Sequence, residues 1–253
     1  MMDLFSLRGK TAIVTGGGRG LGKGMAEGLA MAGAKVMLMA SSDSVMNAAE
    51  EFRGKGYEAL AMKCDLFDKS KIEDSFNKAV GELGSRLDII INNAGIQRRK
   101  PAEDFLLSDW DDVINVNLKV VFMLSQLAGR HMIANGSGKI INIASLLTYF
   151  GGITVPAYAA AKGGVGQLTK ALSNEWASKG INVNAIVPGY MDTDMNVNLV
   201  ADQTRYTEIT ARIPQKRWGT PQDMMGAAIF LASNASNYLN GALIPVDGGY
   251  IGR

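Results

Sequence analysis

Thr11-Ala12-Ile13-Val14-Thr15-Gly16-Gly17-Gly18-Arg19-Gly20-Leu21-Gly22 is the stretch that decides the fold. Residues 11–15 are small or β-branched and uncharged, the composition of a buried strand. Residues 21–31 carry a helical pattern that stops at Gly33. A strand that passes through glycines straight into a helix presents free backbone N–H groups at the positive end of the helix, a ready site for a pyrophosphate. The spacing is T-G-x-x-x-G-x-G, and the ordinary G-x-G-x-x-G occurs at no register. Gly16, Gly20 and Gly22 permit a tight turn, close approach of phosphates and close packing of helix on strand. The competing reading, a loop rich in glycine for flexibility alone, is weakened by its place directly after a strand. A P-loop is excluded, because Gly136-Ser137-Gly138-Lys139 lacks both the upstream glycine and the following hydroxyl.

Working outward, short apolar runs alternate with longer periodic segments along the whole chain. Strands are expected at 10–15, 35–40, 58–63, 87–92, 139–144, 181–187 and 242–246, and helices at 21–31, 44–55, 70–83, 108–134 and 157–179. Seven strands alternating with helices call for an α/β fold, a doubly wound Rossmann domain with a seven-stranded parallel sheet covered by helices on both faces. No Pro/Ser-rich linker divides the chain, so one domain is expected over 1–253. The longest break in the alternation, 189–222, follows a strand end and is long enough to be a substrate lid.

Composition narrows the chemistry. One cysteine, Cys64, and one histidine, His131, among 253 residues exclude an internal disulfide and a structural zinc site, so no metal is expected. Any Ser-His-Asp or Cys-His mechanism would have to run through His131 alone. Twenty-six basic against 24 acidic residues, scattered along the chain, form no basic stripe, so no nucleic-acid partner is expected. No stretch reaches the about 18 apolar residues of a membrane span and no signal peptide opens the chain, which together predict a cytoplasmic protein without a membrane partner. The 14 methionines spread over helical positions and read as adaptable core filler.

Tyr158-Ala-Ala-Ala-Lys162 puts a phenol and an ammonium on one helix face. A phenol with pKa ~10 is a poor acid–base group at neutral pH, and an adjacent cation moves it toward usefulness. The pair alone is a common surface arrangement. Its setting is not, since Ser145 follows a strand at the carboxyl edge of the sheet, where open α/β folds bind ligands, and Asn92-Asn93-Ala94-Gly95 ends the preceding strand at that edge. Asn117 sits within a helical segment, where a buried amide is costly unless bonded. Cofactor choice turns on the end of the second strand: Met39-Ala40-Ser41-Ser42 offers no acid to hold a ribose 2′-hydroxyl, and Arg19 can face a 2′-phosphate. This favours NADP(H) over NAD(H); a solvated Arg19 with Ser41 or Ser42 on the ribose would permit NAD(H).

Together, T-G-x-x-x-G-x-G at 15–22, N-N-A-G at 92–95, Asn117, Ser145, Tyr158, Lys162 and Pro188-Gly189 with Thr193 resemble the classical short-chain dehydrogenase/reductase family over essentially the whole chain. The resemblance implies that Tyr158 is the general acid/base on the substrate oxygen and that Ser145 orients that oxygen. Lys162 would lower the tyrosine pKa and bind the nicotinamide ribose, with Asn117 holding a water that links Lys162 to solvent. It further implies contacts to the cofactor from Gly16, Gly18, Arg19, Gly20, Leu21, Gly22, Ser41, Asp65, Asn92, Ala94, Gly95, Pro188, Gly189 and Thr193, as well as from Tyr158 and Lys162. A homotetramer is also implied, with the helices at 109–134 and 157–179 at an interface.

The substrate is less constrained. Gly95-Ile96-Gln97-Arg98-Arg99-Lys100 leaves the fourth strand as a cationic strip, and Arg98 or Arg99 can take a carboxylate in a bidentate pair; a solvated basic loop is the bland alternative. The run 93–99, with 109–113, 188–191, 212–214, 217–219 and the terminus 246–253, resembles the sugar-acid dehydrogenases of the family. It implies a keto-sugar acid or polyol as partner. An acyl-carrier-protein or simple-ketone reductase is the rival within the enzyme class, and a catalytically silent nucleotide-binding sensor the rival outside it.

Overall fold

The computed structural model describes residues 2–252, so Met1 and Arg253, the two ends of the domain expected over 1–253, lie outside the described residues. Seven strands, β1 (Thr11–Thr15), β2 (Lys35–Ala40), β3 (Ala59–Lys63), β4 (Ile89–Asn92), β5 (Gly138–Ile143), β6 (Ile181–Pro188) and β7 (Leu243–Val246), form one sheet. Their order is β3-β2-β1-β4-β5-β6-β7, and every pairing is parallel. The sheet is covered by helices α1 (Gly20–Met31), α2 (Ser44–Gly54), α3 (Ile72–Glu82), α4 (Leu107–Ile114), α5 (Val120–Ala134), α6 (Pro156–Trp176), α7 (Val197–Ala201), α8 (Gln203–Arg212) and α9 (Met225–Ala232).

The unbroken apolar runs of the strands exist because both faces are covered. Alternate residues serve different cores: Ala12, Val14, Val36, Leu38, Ile89 and Ile91 pack on one side, while Ile13, Met37, Met39 and Ile90 pack on the other. The chain reverses direction of winding between β1 and β4, and the crevice this opens at the carboxyl ends of the strands positions everything described below.

The helix expected over 108–134 is interrupted. α4 passes into a π-helical turn, Asn115–Lys119, before α5 begins. Burial continues across the break at helical spacing, but the partners change: Val113 packs with Ala157 and Ala161, whereas Val120 and Leu124 join the sheet core. The helix expected over 157–179 ends at Trp176, and its last residues form a 3-10 turn, Ala177–Lys179, closed by Gly180 at φ +83°. The break expected at 189–222 holds two short helices, α7 and α8. They are tied down from Trp218, which stacks on Tyr206 with centroids 5.3 Å apart and donates its indole N–H to Thr210 at 2.9 Å.

The lone histidine and cysteine have structural settings. His131 Nε2 accepts the Leu87 amide at 3.1 Å, and Cys64 is buried, which pushes its thiol pKa up.

At the amino edge of the sheet, Asp88 is buried and accepts from the Thr11 amide at 3.0 Å, from Lys10 at 3.3 Å, and from Arg86 Nε and Nη2 at 3.0 and 2.7 Å. Burial alone would raise its pKa; Arg86, the Thr11 amide and Lys10 outweigh that and hold it below the ordinary carboxylate value. Because the folded-state pKa is the lower one, the stability this carboxylate contributes is present above the unfolded value and lost as pH falls through the folded value. Asp88→Asn should lower unfolding stability by about 1–2 kcal/mol, the scale for losing charge-assisted hydrogen bonds to partly exposed partners. It should also flatten the acid limb of stability against pH, as read by denaturant melts between pH 3 and 7.

Candidate active site

A cleft of about 850 Å3 opens at the carboxyl ends of β1, β4, β5 and β6, walled on the far side by the segment after Gly189. Its floor is the glycine turn. Gly16 and Gly20 take φ +65° and +53°, the left-handed region that side chains resist. A Cβ on Gly18 would run into the Ser44 hydroxyl, and one on Gly22 into the Gly16 carbonyl and the Asn93 amide. Arg19 precedes α1 in extended conformation and its side chain makes no cap bond, so the first amides of α1 point at the cleft without a side-chain acceptor. A cradle of backbone N–H groups with no room for Cβ atoms fits a dinucleotide pyrophosphate.

Around this cradle, Gly16, Gly18, Arg19, Gly20, Leu21, Ser41, Asp65, Ala94, Gly95, Pro188, Gly189 and Thr193 all line the cleft, as the sequence leads one to expect. Two expected residues do not. Asn92 points away into the sheet, its amide donating to Ser125 Oγ at 3.0 Å and Asn142 Oδ1 at 2.9 Å, and its neighbour Asn93 stands at the cleft instead. Gly22 acts from behind the turn through packing. The Arg19 guanidinium, largely exposed, pairs with Asp194 at 3.2 Å. Asp43, the first acid after β2, is drawn off to Lys63 at 2.8 Å, which leaves hydroxyls at the end of that strand.

Asn93 is a functional position that the motif contained and residue reasoning passed over. Its side-chain amide donates to the Thr15 carbonyl at 2.9 Å, and its backbone amide and that of Ala94 donate to Thr15 Oγ1 at 3.0 and 3.1 Å. These bonds clamp the end of β4 to the end of β1.

The second half of the cleft is built by β5 and α6. Ser145 leaves β5 and caps a single turn, accepting the Leu147 amide at 3.2 Å. Tyr158 and Lys162, one turn apart on α6, come up beside it; the ammonium lies 5.7 Å from the phenol ring centroid. Lys162 is buried and donates to the Ile143 carbonyl at 2.5 Å. Burial without a carboxylate partner brings its pKa down to about 8. Burial likewise pushes the Tyr158 phenol up, and two neighbours oppose it: the Ser145 hydroxyl by hydrogen bonding and the Arg99 guanidinium by its charge. Lys162, the cation expected to lower the phenol, stands over its ring, and the Arg99 charge is a second cation near it. Asn117, fully buried, does not line the cleft. Its side chain is spent on both backbone groups of Ile96, accepting from N and donating to O at 2.8 Å each, and this pairing sits at the π-helical turn.

The two arginines of the cationic strip divide. Arg98 faces Asp109 and Asp112 on α4, at 3.4 Å each, so its charge is spent on the protein. Among the described residues Arg99 makes no ion pair; it donates to the side-chain oxygen of Gln97 at 2.8 Å and lies within electrostatic reach of Tyr158 and Tyr190. Of the pair, Arg99 is the one available to an incoming anion.

A family model described as short chain dehydrogenase matches residues 10–204. The chain belongs to this family. A 2-dehydro-3-deoxy-D-gluconate 5-dehydrogenase from Pseudoalteromonas atlantica is 50% identical over the full length of both chains. A gluconate 5-dehydrogenase from Gluconobacter oxydans is 41% identical over 98% of this chain and 96% of its own. Among solved structures, a gluconate 5-dehydrogenase from Burkholderia cenocepacia in complex with NADP and tartrate superposes with TM-score 0.96 at 40% identity, covering 100% of this chain and 99% of the other. Short-chain dehydrogenases are nicotinamide-dependent oxidoreductases, and the α/β sheet found here is theirs. Among the described residues no helix is long and apolar enough to cross a membrane.

Overpacking a tight contact costs about 1–3 kcal/mol. Gly22→Ala should therefore weaken NADPH binding by ~10-fold or more, as followed by the quenching of tryptophan fluorescence, while leaving the far-ultraviolet circular dichroism unchanged.

Proposed function

We propose that this protein interconverts a secondary alcohol and a ketone on a sugar acid, using NADP(H), and that its reaction is that of a 2-dehydro-3-deoxy-D-gluconate 5-dehydrogenase. The observation that carries the reading is Arg99, a guanidinium without an ion-pair partner among the described residues, near the Tyr158 phenol, in a chain half identical end to end to a relative of that name. A cleft for an uncharged ketone or a long acyl chain has no need of such a cation, which weighs against the simple-ketone and acyl-carrier-protein alternatives. A silent nucleotide-binding sensor would have no use for Ser145, Tyr158, Lys162 and Asn117 together.

The nicotinamide cofactor, when bound, supplies or accepts the hydride; the residues of the chain handle the proton and the geometry. Ser145 orients the substrate oxygen. Tyr158 delivers its proton to that oxygen as the ketone is reduced and takes it back in the oxidation. Lys162 holds the nicotinamide ribose and the phenol in place. Asn117, through its two bonds to Ile96, keeps the π-helical turn open beside them, where a water can join Lys162 to solvent. Glycines 16, 18 and 20 with Arg19 and Leu21 would hold the pyrophosphate, with Gly22 packing behind them, and Asp65 would lie toward the adenine and Thr193 toward the carboxamide. The preference for NADP(H) over NAD(H) is supported by Arg19 at the turn, by Ser41 and Ser42 after β2, and by Asp43 being occupied with Lys63.

Gluconate 5-dehydrogenase is the second reading, favoured by the 41% identical relative; it asks the same chemistry of the same residues. A cytoplasmic homotetramer is supported by the family resemblance and by the exposed Leu107 on α4 and Phe122 on α5, apolar side chains that a partner subunit would cover.

The test is a panel of keto-sugar acids and neutral ketones assayed with NADPH and NADH. Turnover of the acids, fastest with NADPH, is expected; turnover confined to neutral ketones would sink the reading. Tyr158→Phe should cut turnover at least ~10²-fold, the lower scale of general acid–base catalysis, while leaving NADPH affinity near that of the wild type. In the oxidation the phenolate is the active form, and a positive neighbour favours it. Arg99→Met should therefore displace the rising limb of kcat against pH to higher pH, and Arg99→Lys should restore part of the difference.

A further inference from the structure

Arg205 is a second cation on the wall of the cleft, and no sequence pattern points to it. It stands in the first turn of α8, where its backbone amide donates to the capping carboxylate of Asp202 at 3.0 Å. The rotation of α8 about its own axis is set from the other side: Tyr206 lies flat on Trp218, Thr210 accepts the Trp218 indole N–H, and Ile209 is buried. With those side chains committed to the core, Arg205 remains on the flank that borders the cleft, as Arg99 does from the strip after β4.

Among the described residues neither arginine has an anionic partner. The arginine ion pairs among the described residues are those of Arg19, Arg86, Arg98 and Arg217. The two guanidiniums sense each other: burial is the larger cause and the Arg205 charge the next in pushing Arg99 below the ordinary guanidinium value. Like charges converging on open space are an arrangement that an anion between them relieves, exchanging repulsion for charge-assisted hydrogen bonds. Hydroxyl groups offer no such relief.

We propose that Arg205 is a specificity-determining residue that shares the substrate carboxylate with Arg99, so that the cleft selects a sugar acid over the polyol of the same length. The inference rests on the sugar-acid reading and adds to it a contact from the segment after Gly189. Discrimination then comes from two pieces of chain, one fixed to the sheet and one carried on a helix seated on Trp218 and the buried Ile209.

Calorimetric titration tests this, with D-gluconate as the acid and D-glucitol as its neutral counterpart, each added to the NADPH complex so that no turnover occurs. The wild type should prefer gluconate. Arg205→Met should weaken gluconate ~10-fold or more, the scale of one charge-assisted hydrogen bond, with glucitol changed by no more than about twofold. Arg205→Lys should recover part of the gluconate affinity. Unchanged gluconate binding in Arg205→Met, or an equal loss for gluconate and glucitol, would overturn the inference; the second result would mean that Arg205 only supports the fold of α8. If gluconate binds through Arg205 yet no keto-sugar acid is reduced, the proposed function falls and this inference stands. If the wild type does not bind gluconate at all, both fall.

Discussion

Two strands that lie side by side in the sheet leave it in opposite winding directions, and something must hold their ends together if a crevice is to open there without fraying. Thr15 and Asn93 do this. The Thr15 hydroxyl accepts two successive amides from the end of β4, and the Asn93 side chain reaches back to the Thr15 carbonyl. Thr15 is fully buried, so each of these bonds replaces water that is not there, and losing one would strand a polar group at the cost of a few kcal/mol. The glycine turn rests on this clamp. Gly22 packs against both the Gly16 carbonyl and Asn93, which sets how closely the start of α1 approaches β4.

Beyond the clamp, the chemistry of the cleft is governed by desolvation. Burial pulls Lys162 down and pushes Tyr158 up, which drives apart an ammonium and a phenol that in water differ little in pKa and brings the ammonium toward neutral pH. A group with a nearby alternative protonation state is what proton transfer at neutral pH requires. The Ile143 carbonyl holds Lys162 without neutralising it. No carboxylate of the chain pairs with Lys162, Arg99 or Arg205 among the described residues, so the site is poised for anions brought from outside: phosphates on one side, a carboxylate on the other.

Much of this was legible in the sequence because it is local. β2 runs over Lys35–Ala40 as its apolar run implies, the remaining strands shift by a residue or two, and Ser145, Tyr158 and Lys162 meet because one strand end and one helix turn suffice to bring them together. What escaped depends on partners distant in the chain. That Arg98 is spent and Arg99 free is decided by Asp109 and Asp112 on another helix. That Asn93 and not Asn92 faces the cleft is decided by which way β4 turns as it ends. The π-helical turn leaves no trace in the burial pattern, since buried residues continue through it at helical spacing while their partners change. α7 is only five residues long and α8 is mostly polar, and it is Trp218, beyond them in the chain, that gives α8 something to pack on.

The Asp88 network and the cleft occupy opposite ends of the same strand. Asp88 bonds Thr11, the first residue of β1, and Thr15, the last, holds the clamp. Four residues of extended chain separate them by roughly 13 Å, beyond the about 7–10 Å within which substitutions couple energetically. The fold therefore keeps its reserve of stability and its desolvated chemistry in separate thermodynamic compartments. A lineage can strengthen the amino edge to tolerate costly changes at the carboxyl edge, and the two kinds of change will add. That independence lets one scaffold explore new substrates without first becoming unfit to fold.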